Sequence, residues 1–378
     1  MANDEKRTVS ASGGVLFWNF SKEIERQVRD FLDDYELSSM VRISGENVAG
    51  RVFLRLRLDD DLSRSIAPGW DTLDVCRHLN LDSAHATRDL EKEILVSMLM
   101  GPLAIPFPSP DELASAVSLR MHIVDAARQT SVAFDTEQAE RPADYFVYQA
   151  GCGFCLSPGK SLIEALKKAA QPDYSGTQYS FSCYRASEYI LLLSIAIELQ
   201  QRNPALFERL EALCQSRAIM SGEFHEVFLH EYGSLNRPLP LHYFVPGDRV
   251  WFRNPDDHSS DLAGYEGSWV FYLGNGLFCN FWKREQPYTL KHKCLEVYHW
   301  RNGVYTDAAG KLQMDENRIE AHVAATLQDE DETARILELM MRPCEARGVY
   351  LNGGCLDVSR ESPRWVRPGT SDISLPLS

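Results

Sequence analysis

Tyr179-Ser180-Phe181-Ser182-Cys183-Tyr184-Arg185-Ala186 leads into the longest apolar run of the chain, Tyr189 to Ile197. That run is about half of the ~20 apolar residues a membrane span needs, so it reads as a buried helix extending from Cys183 to Leu199. The residues up to Ser182 sit ahead of it, and Cys183 falls in its first turn. There the unpaired backbone N–H groups and the helix dipole favour thiolate over thiol, the form in which sulfur attacks carbon. Position alone leaves a second reading equally open: a small core residue beneath a buried helix.

Working outward, Ser109-Pro110-Asp111-Glu112 reads as a helix start, with a cap, a proline at the first position and acids on the positive end of the dipole. Leu113, Val117, Met121 and Val124 line one face of that helix, which runs to about Arg128. Just before it, Ile105-Pro106-Phe107-Pro108-Ser109-Pro110 reads as a linker, because alternating prolines break helices and sheet ladders. Further out lie an amphipathic segment from Phe20 to Leu37, a strand from Val52 to Leu58 and a helix from Glu91 to Met100. Downstream of the cysteine comes one more helix, Pro204 to Cys214. After Pro246-Gly247-Asp248 the pattern turns to strands: Arg249 to Arg253, Ser268 to Leu273, Leu277 to Trp282 and Lys293 to Trp300. Gly274-Asn275-Gly276 between two apolar runs is a hairpin signal. Asp331 to Met341 reads as the helix of the C-terminal region, and a Gly/Ser/Pro-rich tail from Gly353 as a surface wrap or a mobile segment. These shifts divide the chain into an N-terminal α+β region (1–105), a core (106–300) and a C-terminal addition (301–378).

The net charge of −15 argues against nucleic acid and anionic membrane as partners and suits a basic, lysine-rich protein, although ordinary acidic solubility explains it as well. Met1 to Ser10 is polar, with no hydrophobic segment of a secretory signal, which points to synthesis in the cytoplasm and leaves export by another route open. The nine cysteines are unevenly spaced and do not read as a disulfide framework. Cys152 and Cys155 form a lone C-x-x-C with no second pair to complete a zinc site.

Helices first, a cysteine opening the most buried of them and an antiparallel sheet afterwards is the α+β ground plan of papain-like thiol enzymes. Four stretches carry a closer resemblance. Glu112-Leu113 through Leu119-Arg120-Met121-His122-Ile123-Val124-Asp125-Ala126-Ala127 resembles the E-L…LRMNIVxAA helix of the Bacillus spore-coat transglutaminases. Gly153-Phe154…Leu156…Pro158…Ser161…Ile163 is similar to that family's G-A-x-x-L…P-S-x-A-I-R. Tyr179 to Ala186 resembles its Y-A-F-E-C-A-T-A nucleophile motif. Val245-Pro246-Gly247-Asp248-Arg249-Val250-Trp251-Phe252-Arg253-Asn254-Pro255 resembles its P-G-D-x-x-Y-F-K-N-P. The four occur in the family's order between about Pro108 and Trp282.

The resemblance implies a transglutaminase-like core and a reaction on protein glutamine. Cys183 attacks the γ-carboxamide, ammonia leaves, and the thioester passes to a lysine amine as a cross-link or to water as deamidation. No metal or organic cofactor is implied, the partner is a protein substrate, and the family's setting is spore-coat cross-linking. The sequence departs from the family at two points. The family's catalytic acid aligns with Ser268 and its histidine with Phe281, neither of which moves a proton at neutral pH. Glu266, two residues before Ser268 and so on the same face of a regular strand, is the substitute acid. His292 and His299 on the following strand, and His242 before Pro-Gly-Asp, are the substitute histidines. A catalytically degenerate fold that binds protein is the alternative these two losses favour. Trp251, Trp269, Trp282 and Trp300 read as sheet core in preference to a substrate platform.

Overall fold

The computed structural model describes residues 13–18, 20–48, 51–134, 140–344 and 354–376. The polar segment Met1 to Ser10 and the expected start of the tail at Gly353 lie outside the described residues. The architecture is α+β, with helices packed against antiparallel sheets.

The N-terminal region builds a four-stranded sheet from β1 (Gly14–Phe17), β2 (Val41–Val48), β3 (Arg51–Leu58) and β4 (Ala104–Phe107), in the order β2-β3-β1-β4. The expected Val52–Leu58 strand is β3 and belongs to this sheet. The stretch expected to be a linker is not one: Ala104 to Phe107 pairs with β1 in parallel. Pro106 is accommodated because β4 is an edge strand, where one side of the backbone has no ladder to complete and a missing N–H is harmless. The region is tied to the rest of the molecule by buried hydrogen bonds. Thr72 Oγ1 donates to Phe244 O at 2.7 Å, and Tyr243 OH donates to Ser97 O at 3.0 Å.

The Pro110–Gln129 helix starts as read, with Ser109 accepting from Glu112 N. The hairpin of β5 (Phe146–Gln149) and β6 (Gly153–Leu156) and the Leu162–Ala170 helix lead to the Cys183–Arg202 helix, whose buried residues include Ile190, Leu191, Leu193, Ile195 and Leu199. The first and fourth of the quoted motifs interlock. Arg120 and Asp248, both almost fully buried, pair at 2.8 Å, and the second oxygen of Asp248 accepts from Val245 N, capping the turn. Gly247 is needed there: its φ is +87°, and a Cβ would stand 3.0 Å from Arg120 Cα.

The main sheet has six strands: β7 (Leu229–Tyr232), β8 (Arg249–Arg253), β9 (Gly267–Gly274), β10 (Leu277–Phe278), β11 (Tyr288–Thr289) and a last one from the C-terminal region. Three expectations change here. The strand expected to reach Trp282 stops at Phe278, because Asn280 Oδ1 accepts from the N–H groups of Trp282 and Lys283 and turns the chain. The segment expected as a strand from Lys293 to Trp300 is part of the Leu290–Gly303 helix, capped by Thr289 through His292 N. It is followed by a small hairpin, β12 (Val304–Thr306) with β13 (Leu312–Met314), and by two helices, Glu316–Leu327 and Glu330–Met340, only the second of which was expected.

The third change concerns the tail. It does not wrap the surface: β14 (Arg360–Pro363) inserts between β7 and β8, giving the order β11-β10-β9-β8-β14-β7. Its polar sequence conceals the insertion, since Glu361 is satisfied by an ion pair with buried Arg249 instead of by burial of apolar surface. Beyond β14, the carboxylate of Glu112, 1% exposed, accepts from Val366 N, Arg367 N and Thr370 Oγ1. The first residues of the quoted Glu112-Leu113 motif therefore anchor the C-terminus.

Candidate active site

Cys183 is the first residue of its helix. Ser182, in extended conformation, caps it by accepting from Arg185 N at 3.2 Å. The cap leaves the cysteine at the positive end of a 20-residue helix, half-buried against β9, with an opening into a cavity of about 720 Å³. Burial pushes the pKa of the Cys183 thiol above the ordinary cysteine value, and the negative charge of Glu266 pushes the same way. The backbone N–H of Trp269, the charge of Lys293 and the N–H of Tyr184 oppose this without overcoming it.

Part of the cavity lining comes from the Leu290–Gly303 helix and the segments after it. Lys293, Glu296 and Trp300, spaced by three and four residues, lie on one helix face and all line the cavity. Lys293 is 1% exposed; its Nζ donates to Glu296 Oε2 at 3.2 Å and stands 4.3 Å from the Tyr288 ring centroid. Beside it, Tyr265 OH donates to Glu316 Oε1. Burial raises the pKa of Glu316, and the nearby charge of Glu296 adds to the rise. Burial also raises that of Tyr265. The cavity therefore combines a thiol, an ammonium–carboxylate pair and a phenol–carboxylate pair, enclosed by Trp282 and Trp300.

The family model described as TGL, protein-glutamine gamma-glutamyltransferase, matches residues 74–343. The chain belongs to this transglutaminase family. It is 24% identical over 220 residues to a protein-glutamine gamma-glutamyltransferase of Halalkalibacterium halodurans, an alignment covering 56% of this chain and 70% of that protein. A solved transglutaminase from Geobacillus stearothermophilus, without its C-terminal extension, superposes with a TM-score of 0.40 at 15% identity, over 71% of this chain and all of that one. The transglutaminase match begins about thirty residues before, and ends about forty after, the core of 106–300 read from the sequence.

Ser268 lies on β9 opposite Phe252 and lines the cavity. Phe281, 3% exposed, packs on Phe271 and Trp282. Glu266 lies just before β9 with its side chain exposed, accepting from Gly264 N at 3.0 Å; it acts on Cys183 through charge, and in the direction that raises its pKa. His292 is exposed, 5.7 Å from the Tyr288 ring. His299 is on another face of the helix from Lys293. Asn302 donates to its Nδ1, its Nε2 bonds Thr326 Oγ1 at 2.8 Å, and burial lowers its pKa to about 4. His242 pairs with Asp71 at 3.1 Å. The arrangement thus groups Cys183 with Ser268, Lys293, Glu296, Tyr265 and Glu316, and sets both histidines of the 290–303 helix apart from that group.

Lys293 and Glu296 escape a reading of the sequence because the segment was taken as a strand, where residues three apart point to opposite faces. The available signal was Thr289 as an N-cap before a run with Leu290, Cys294, Val297 and Leu295 at helical spacing. Among the described residues no group of three or more His, Cys, Asp or Glu is placed to hold a metal, and Cys155 instead points its thiol at the Ser216 carbonyl, 3.5 Å away.

Proposed function

We propose that this chain carries out thiol acyl transfer at glutamine side chains of proteins, with Cys183 as nucleophile. Sγ attacks the γ-carboxamide, ammonia leaves, and the thioester is passed to a lysine amine, giving an isopeptide cross-link, or to water, giving glutamate. One observation carries the reading: the cysteine at the transglutaminase nucleophile position opens a buried helix and faces a cavity lined with ionisable and aromatic side chains. An unused cysteine beneath a helix has no need of such a cavity. The net charge of −15 favours a basic, lysine-bearing protein as partner.

The test uses the full chain with a glutamine-bearing protein, with and without a lysine-bearing one. Ammonia release that disappears in Cys183→Ala supports acyl transfer. A covalent dimer of the two substrates distinguishes cross-linking from deamidation. No ammonia release above the Cys183→Ala background sinks the reading.

A second reading is favoured by Ser268 and Phe281 at the transglutaminase acid and histidine positions: a binding protein on a transglutaminase fold. It predicts that the same basic protein is retained on an affinity column equally by wild type and by Cys183→Ala, with no chemistry in either.

A further inference from the structure

Taking Cys183 as the nucleophile, we propose that Lys293 is its acid–base partner, doing from the Leu290–Gly303 helix the work of the histidine whose aligned position is Phe281. The inference rests on that reading and on three observations. First, Lys293 and Cys183 line the same cavity, so a glutamine side chain entering it meets both. Second, Lys293 is 1% exposed. A buried ammonium costs several kcal/mol unless it is paired, and lysine is among the residues least often buried. An apolar residue would fill this helix position without that cost. Third, the pairing present leaves room for chemistry: one bond to Glu296 at 3.2 Å occupies one of three N–H directions, and the ring of Tyr288 orients the stem. The charge of Lys293 acts on the Cys183 thiol in the direction of thiolate, against the burial that protects the thiol form.

The step balances with these groups and one proton lost to solvent. Cys183 Sγ gives up its proton to water, and the thiolate forms beside the Lys293 ammonium, which donates to Glu296. The thiolate adds to the carboxamide carbon. As the C–N bond breaks, the ammonium gives its proton to the departing nitrogen, which leaves as ammonia, and Lys293 is left as amine beside the thioester. In the second half the entering amine or water gives its proton to Lys293 while adding to the carbonyl. The C–S bond then breaks and restores the thiolate beside the ammonium. Arginine at this position would preserve the charge but not the proton transfer.

The test combines alkylation of Cys183 by iodoacetamide across pH, read by mass spectrometry of its peptide, with ammonia release from a glutaminyl peptide. It compares wild type, Lys293→Met and Lys293→Arg. Expected are a tenfold or greater loss of both rates at pH 7 in Lys293→Met, with the alkylation inflection moved to higher pH. Lys293→Arg should keep the inflection near wild type and still lose tenfold or more of ammonia release. Wild-type rates and inflection in Lys293→Met overturn the proposal while leaving Cys183 as nucleophile. If Lys293→Met fails to fold, Lys293→Arg decides, and undiminished ammonia release in it overturns the proposal. A wild-type protein that neither releases ammonia nor alkylates Cys183 ahead of its other cysteines overturns the underlying reading as well.

Discussion

The Arg120–Asp248 corner and the Cys183 cavity both bury ionisable side chains between the helices and the main sheet, yet they are built differently. At the corner the family's residues are kept, and each charge is consumed. Arg120 donates to Asp248 and to the carbonyl of Pro246, and the other Asp248 oxygen closes the turn. At the cavity, Ser268 lines the wall, and Lys293, Glu296 and Glu316 come from two helices outside the quoted motifs. The contrast shows that retained motifs here report packing. A closed ion pair at a turn tolerates no substitution because breaking it strands a buried charge, whereas an open cavity can exchange its ionisable groups for others from a neighbouring element.

The sharpest way to break the comparison is to remove the thiol. Cys183→Ala should lower ammonia release from a glutaminyl peptide by at least about 1000-fold, equivalent to about 4 kcal/mol of barrier, while leaving the thermal transition within a few degrees of wild type. A large loss of stability with residual activity would place Cys183 with the corner, as packing. The reverse pattern is expected at Asp248. Asp248→Ala should cost about 3–5 kcal/mol in denaturant unfolding, because Arg120 is left buried and unpaired. In the fraction that remains folded, the pH profile of Cys183 alkylation should be unchanged.

His299 sharpens the distinction between buried and chemical. Its folded pKa, about 4, lies below the ordinary histidine value, because burial and then the charge of His322 disfavour protonation. The unfolded chain therefore binds the proton first, and the stability that neutral His299 contributes, up to about 3 kcal/mol, is full above pH 6.5 and is lost as pH falls toward 4. Urea midpoints measured between pH 7 and 4 should fall less steeply in His299→Gln than in wild type. Equal slopes would show that the histidine titrates normally.

Much of this was legible locally. The cap Ser109, the hairpin at Gly274-Asn275-Gly276 and Cys183 in a first turn all follow from a few adjacent residues. Lys293 to Trp300 was misread because tyrosine, valine and tryptophan at near-alternate positions imitate a strand, while the cap that marks the helix precedes them. Glu266 was a reasonable substitute for Ser268 on a regular strand. It fails to turn inward because β9 begins only at Gly267 and the carboxylate is held by Gly264 N.

The smallest expected effect concerns that residue. Glu266 is exposed and its charge raises the Cys183 pKa, so Glu266→Gln should speed iodoacetamide alkylation of Cys183 at pH 7, by less than about threefold given solvent screening. A tenfold decrease would instead bring Glu266 into the chemistry and erase the contrast between an open and a rebuilt site.

The amino-acid sequence by itself determined the α+β order of elements, the helix that begins at Cys183 and the resemblance to the transglutaminases, because caps, turns and periodicity act over fewer than ten residues. Tertiary structure alone decided that Pro106 sits in an edge strand, that the polar segment Arg360–Pro363 fills a gap between β7 and β8, and that Lys293 lines the same cavity as Cys183. It also decided that burial raises the pKa of the thiol. These outcomes depend on which distant segments desolvate a group and which supply its partners, and a free energy set by surroundings brought together from the two ends of a chain leaves no periodic trace in either.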